Sequence, residues 1–240
     1  MFFHLAVMDK LSESTLSDLN VNLINCYEVI RDRIDDLIVS LREFQQNGKS
    51  KSFFYRARRR FNQTGLEPNL EGDVEKAALL IYLNRTCFNG LYRVNRAGEF
   101  NVPWGRYKRP TILNERNLRA VNIILNQRVQ LKHGDYAEAL SSARSHDFVY
   151  LDPPYQPTSR TASFTSYTGN GFGLEDQARL AGLFKELDSR GCFIMLSNSP
   201  RAEPLYAGHQ YRIVRVKAVR AINSIGAKRG PVDEILVMNY

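Results

Sequence analysis

The stretch Phe148-Val149-Tyr150-Leu151, followed at once by Asp152-Pro153-Pro154-Tyr155, constrains this chain more than any other. Four aromatic and branched residues predict a buried strand, and two consecutive prolines end it abruptly. A carboxylate, a rigid backbone and an aromatic ring are thereby set at one strand tip. Prolines carry no amide hydrogen, so the turn offers carbonyl acceptors without competing donors. Such a tip suits a planar ligand with an amino group, whose hydrogens go to Asp152 and the Pro153 carbonyl while Tyr155 stacks on the ring. The alternative is an ordinary strand and proline turn with Asp152 as a solvated cap.

Two further acidic tips resemble it. Thr15 to Asn20 predicts a short strand ending at Asp18, and Val129 to Tyr136 alternates as a strand ending at Asp135. In open α/β sheets, ligands collect beyond the carboxyl ends of the strands, and a carboxylate there often binds ribose hydroxyls. Three acidic tips suggest a bound molecule with hydroxyl and amino groups, such as a nucleoside; Asp18 alone could equally be a helix-start cap.

Between these tips the chain is helical by its periodicity. Met1 to Val7 reads as the tail of a helix, and Leu23, Tyr27, Ile30, Ile34, Leu37, Ile38 and Leu41 predict one long amphipathic helix. Lys49 to Arg60 is strongly basic and interleaved with Phe53, Phe54 and Tyr55, which suits either a surface facing phosphates or, as favoured here, a helix with a solvated face and aromatics entering the core. Glu75 to Leu83 and Asn117 to Leu125 are further helices, with Gly65 to Asp73 a flexible connector. After the Pro-Pro turn, Gln156 to Gly173 reads as a loop long enough to be a lid. Leu174 to Ser189 is helical, Cys192 to Asn198 a buried strand, and Tyr211 to Ala221 and Asp233 to Asn239 an antiparallel edge pair joined by a turn at Asn223 to Pro231.

Asn84 to Pro110 differs in character. Arg85, Asn89, Arg93, Asn95, Arg96, Asn101, Arg106, Lys108 and Arg109 alternate with Phe88, Tyr92, Phe100, Trp104 and Tyr107, about a turn at Asn95-Arg96-Ala97-Gly98. Arg and Asn make bidentate contacts to guanine and adenine edges, and apolar tips such as Leu91 or Pro103 can touch a thymine methyl. The net charge of +8 agrees with a nucleic-acid partner. The three cysteines and four histidines are scattered, with no metal-ligand or disulfide spacing, so reduced buried thiols and no metal are expected. No apolar run would span a bilayer, and the N-terminus shows no signal-peptide pattern.

Asp152-Pro153-Pro154-Tyr155, Asn89 to Arg93, Gly98 to Lys108 and Ser163 to Tyr167 together resemble Dam-type (D12 class) DNA adenine-N6 methyltransferases, as does their order. The likeness runs from about Thr15 to the C-terminus. It implies an α/β fold: a Rossmann-like methyltransferase sheet, mostly parallel with the last strands antiparallel, carrying a small helical and hairpin DNA-recognition insert. It implies S-adenosylmethionine as cofactor, double-stranded DNA as partner, a GATC-like target, monomeric action and a bacterial or phage-infected cytoplasm. Carried over by position, Asp152, Pro153, Pro154 and Tyr155 are catalytic, Asp18 holds the cofactor ribose, and Asp135 lies by its adenine ring. Arg93 reads a guanine, Leu91 and Pro103 approach a thymine methyl, Phe88 and Asn89 act at the target step, and Arg106 and Lys108 meet phosphates.

The family's Phe-x-Gly-x-Gly loop, and the strand before it, have no counterpart here, since Met1-Phe2-Phe3 falls where the first helix is already under way. The expectation is a shortened core of residues 1–45 and 111–240 with a recognition insert at 46–110, and weak cofactor binding unless the missing piece is restored. Two other readings share these features: an N-methyltransferase acting on RNA or protein glutamine, and a catalytically impaired DNA-binding remnant.

Overall fold

A computed structural model describes residues 1–65, 73–155, 172–219 and 231–240. The connector at 65–73, the lid at 156–173 with Ser163 to Tyr167 inside it, and the turn at 223–231 fall, apart from end residues, outside the described residues. The chain divides into two compact units, Met1–Ala139 and Leu140–Tyr240.

In the first unit, helix α1 (Phe2–Val7) precedes strand β1 (Ser14–Asp18), which pairs in parallel with β2 (Val129–His133) so that Asp18 lies opposite His133. Between them come α2 (Val21–Asp32), α3 (Ile34–Asn47), α4 (Lys51–Gln63), α5 (Val74–Thr86) and α6 (Glu115–Leu125); α7 (Tyr136–Ala139) follows β2. Short polar side chains open these helices by accepting from first-turn amides: Asn20 for α2, Ser50 for α4, Asp73 for α5 and Asn114 for α6.

The expected single helix over Leu23 to Leu41 is two. Arg33 leaves helical geometry at φ −132°, ψ 37°. Its Nε meets Asp36 at 2.8 Å, and Asp35 and Asp36 occupy the first turn of α3, where the helix dipole favours negative charge. The hydrophobic stripe survives the break, and Val29, Leu37, Ile38 and Leu41 share one core with Phe54, Ala57 and Phe61 of α4 and Leu79, Tyr82 and Leu83 of α5. The aromatics of the basic helix thus enter the core, while Arg56, Arg59 and Arg60 stay exposed and Arg58 is half-buried.

In the second unit, β3 (Phe148–Leu151) pairs in parallel with β4 (Phe193–Asn198). Strand β6 (Pro231–Met238) runs antiparallel between β4 and β5 (Arg212–Val219), giving the order β3-β4-β6-β5. The antiparallel pair lies at one edge of this sheet, as expected, with β5 outermost. The expected burial of β3 and β4 holds for alternate residues: Val149, Leu151, Ile194 and Leu196 are buried, whereas Phe148 and Tyr150 are 47% and 38% exposed and Phe193 43%. A strand with one covered face shows this period of two. Helix α8 (Leu174–Ser189) packs on β4 through a face holding buried Leu180, Phe184 and Leu187.

Cys26, Cys87 and Cys192 are free and buried. Burial pushes the Cys26 thiol from its ordinary 9.0 to about 12 and Cys87 to about 11, and raises the Tyr82 phenol from 10.0 to about 12. These raised values favour the protonated groups in the folded state, so their stabilisation is complete below pH 9 and is lost as pH climbs through the folded values. Denaturation midpoints should therefore be lower at about pH 10.5 than at about pH 8. A midpoint that held or rose would contradict this burial.

Candidate functional site

The second unit gathers its candidate residues where β3 ends. Asp152 is exposed, and Pro153, Pro154 and Tyr155 are half-buried. On the next strand, Ser197 is buried and its hydroxyl donates to Asp152 Oδ1 at 2.7 Å. The Tyr150 hydroxyl lies 3.2 Å from Ser197 Oγ. The Pro-Pro turn is held from behind: buried Gln177 of α8 donates to the Pro154 carbonyl at 3.0 Å and accepts from buried Asn198 at 3.0 Å. Of the two proline carbonyls, Pro154 is therefore occupied, and among the described residues no hydrogen bond reaches Pro153 O.

Tyr155 is fixed at its hydroxyl, which donates to Glu234 Oε2 of β6 at 3.2 Å. Burial pushes its phenol up to about 12, with the neighbouring Ser197 hydroxyl opposing and the charges of Asp152 and Glu234 adding to the rise. At neutral pH it is a donor with a fixed ring.

In the first unit, Asp18 and Asp135 stand at the same carboxyl end of the parallel pair β1–β2. Asp18 Oδ1 accepts from the Asn20 amide at 2.7 Å, and Asp135 Oδ1 from the Ala137 amide at 2.8 Å. Loss of hydration raises the Asp18 pKa, opposed by the Asn20 amide and His133. The cap of α2 is Asn20, so Asp18 does not serve as one. An open cleft of about 330 Å³ between Glu13, Arg31, Asn126 and Arg128 lies at the amino end of β2, away from both carboxylates.

The same unit shapes the Arg- and Asn-rich segment. It is a hairpin held by single bridges, Cys87 to Trp104 and Val94 to Phe100, rather than continuous strands. Asn95 closes its tip: Oδ1 accepts from the amides of Ala97 and Glu99 at 3.0 and 2.9 Å. Helix α4 clamps the returning arm. The Asn62 side chain donates to Phe100 O at 3.1 Å and accepts from Phe100 N at 2.9 Å, and Arg58 donates to Val102 O at 3.3 Å. Gly105 seats the end of the arm, because a Cβ there would lie 2.5 Å from Cys87 O.

Half-buried Arg93 gives its Nε to Asn101 Oδ1 at 2.7 Å, which fixes the guanidinium plane. Phe88, Pro103, Arg106 and Lys108 are exposed, whereas Leu91 is half-buried. Asn89 has φ +55° inside a short turn, and its buried Nδ2 has no hydrogen-bond partner among the described residues. A strained backbone and an unsatisfied donor at one residue are features that cluster at functional sites. Among the described residues there is no group of His, Cys, Asp or Glu able to hold a metal ion and no helix long and apolar enough to cross a membrane.

Sequence reasoning missed Ser197, Gln177, Asn198 and Glu234. The available signal was a pair of polar residues, Ser197-Asn198, closing an apolar strand, and a glutamate inside the last strand.

Comparison with known proteins agrees with these features. The family model of D12 class N6 adenine-specific DNA methyltransferases matches residues 1–222. The chain is 41% identical over 243 residues to the Type II methyltransferase M1.LlaDCHI of Lactococcus lactis subsp. cremoris, covering all of this chain and 82% of that protein. It is 41% identical over 250 residues to the Type II methyltransferase M.MjaIII of Methanocaldococcus jannaschii, covering all of this chain and 84% of the relative. A DNA adenine methylase of Vibrio cholerae is 37% identical over 227 residues, or 93% of this chain and 78% of its own. The chain belongs to the D12 class N6 adenine-specific DNA methyltransferase family.

Proposed function

We propose that this chain transfers a methyl group from S-adenosylmethionine to the exocyclic N6 of adenine in double-stranded DNA, within a GATC-like sequence, after flipping the base out of the duplex. The observation that carries this reading is the acceptor pair at the end of β3. Ser197 engages one oxygen of Asp152 and Gln177 the Pro154 carbonyl, and among the described residues the second Asp152 oxygen and Pro153 O are left for a ligand.

Two acceptors match the two hydrogens of an adenine amino group. That nitrogen is a poor nucleophile because its lone pair is delocalised into the ring. Accepting both hydrogens favours a pyramidal nitrogen with a localised lone pair, so the groups work by position and electrostatics. Asp152 is an acceptor in this scheme, not a strong base. Extrusion of the base costs about a few kcal/mol, and the ring of Tyr155, held through Glu234, offsets part of that by stacking.

Two carboxylates suit the adenosine half of the cofactor. When bound, S-adenosylmethionine supplies an electrophilic sulfonium methyl. Asp18 would accept from ribose hydroxyls and Asp135 would lie by the adenine ring, each carboxylate having one oxygen steadied by a backbone amide. In the recognition segment, proposed as residues 46–110 within a core of 1–45 and 111–240, Arg93 would read a guanine. Leu91 and Pro103 would contact a thymine methyl, and Phe88 and Asn89 would act at the target step. Arg106 and Lys108 would neutralise phosphates, so binding should weaken steeply with salt. Action as a monomer in the cytoplasm completes the reading. The relatives named as DNA adenine methylases support adenine as the target.

Labelled methyl transfer is the test. Label should appear at adenine N6 in a GATC duplex, fall when the central A·T pair is replaced, and be absent from RNA and from glutamine peptides. Incorporation into RNA or peptide, or none into DNA, would overturn the proposal.

A further inference from the structure

The geometry points to Ser197 as the positioning residue that aims the Asp152 carboxylate, with Tyr150 fixing the direction of its hydroxyl. This rests on the reading of Asp152 as acceptor for an adenine amino group.

A serine hydroxyl has one hydrogen to give. Asp152 Oδ1, at 2.7 Å, is much the nearer acceptor; the Leu151 carbonyl is at 3.5 Å. A carboxylate accepts only, so the Ser197 hydrogen points to Asp152. The Tyr150 hydroxyl, 3.2 Å from Ser197 Oγ, then donates to it. Successive donation along Tyr150, Ser197 and Asp152 polarises each bond and strengthens the last.

The placement of these groups makes the arrangement rigid. Ser197 lies in β4 with only 4% of its surface exposed, on the strand paired directly with β3. Tyr150 is in β3 itself, two residues before Asp152 and on the less buried face of the strand. Asp152, by contrast, is exposed and past the end of the strand. Its described hydrogen bond to Ser197 is what distinguishes one carboxylate rotamer from the others. With Oδ1 tethered, Oδ2 is the oxygen left for the amino group. Without the tether the carboxylate turns freely, and an ionised acceptor that must be ordered on each turnover contributes less to the rate.

The test combines kinetics with a binding readout that needs no turnover. Ser197→Ala should lower kcat by about 10- to 100-fold, the loss expected for a hydrogen bond to a charged group. KM for DNA should rise by no more than the factor by which wild type prefers adenine in the binding comparison. Ser197→Thr, which keeps the hydroxyl, should recover most of the rate, and Tyr150→Phe should fall between wild type and Ser197→Ala. The second readout compares affinity for a duplex with adenine at the target with affinity for one carrying purine, which lacks the amino group. Wild type should prefer adenine, and Ser197→Ala should lose that preference while both variants melt near the wild-type temperature.

Unchanged kcat and unchanged preference in Ser197→Ala would overturn the assignment. So would an equal loss of affinity for both duplexes accompanied by a lower melting temperature and no rescue by Thr, the signature of a purely structural serine. Were wild type itself to show neither transfer nor preference for adenine, the proposed function would fail, and this assignment with it. A wild type that shows both, beside an indifferent Ser197→Ala, would leave the function standing and remove only Ser197.

Discussion

Asp152→Ala is expected to lower the rate of adenine methylation by about 10²- to 10³-fold, the range for deleting one preorganised electrostatic contact to a developing charge. The fold should tolerate the change. Asp152 is exposed, and its described hydrogen bond is the one from Ser197, whose loss as a partner costs about 1 kcal/mol. DNA affinity should also persist, because the hairpin residues that would carry it lie elsewhere in the chain. Rapid-quench single-turnover assays with labelled cofactor would separate this chemical defect from slower product release. Full single-turnover activity in Asp152→Ala would remove the acceptor role and the proposed chemistry.

Arg93→Ala carries the second large expectation, on selectivity. A bidentate arginine-guanine contact is worth about 1–3 kcal/mol of discrimination, so roughly 10- to 200-fold should be lost. The loss should be confined to one base position: duplexes altered there should be methylated almost as well as the original by the variant. Arg93→Lys should behave much like Ala, since it keeps the charge but not the planar fork. Asn101→Ala should move in the same direction by less, because it frees Nε and lets the guanidinium plane rotate. Comparing kcat/KM across duplexes substituted singly at each position checks this. A uniform decline across all of them would instead make Arg93 a phosphate contact.

The features legible in the chain were the local ones. Paired prolines after Phe148-Val149-Tyr150-Leu151 announce the end of a strand within eight residues, and Asp18, Asp135 and Asp152 each close a stretch that reads as a strand. The break at Arg33 was hidden because the apolar spacing continues through it; the clue was the acidic pair Asp35-Asp36, which suits a new helix start. Ser197, Gln177 and Glu234 were hidden for another reason. They reach Asp152, Pro154 and Tyr155 across 45, 23 and 79 residues of sequence. A single polar side chain that meets its partner through strand order has no periodicity to betray it. The family resemblance supplied roles for the residues of the hairpin, but not the contacts that hold them.

Those contacts bear on how target preference could be exchanged between related enzymes. The arms of the hairpin touch each other at isolated bridges, and the returning arm is moored instead to Asn62 and Arg58 of a helix whose other side is core. A loop transplanted by its own boundaries would leave its moorings behind. The portable cassette is the hairpin together with α4, and variation of the proposed reading head is therefore tied to a helix whose Phe54, Ala57 and Phe61 sit in the core.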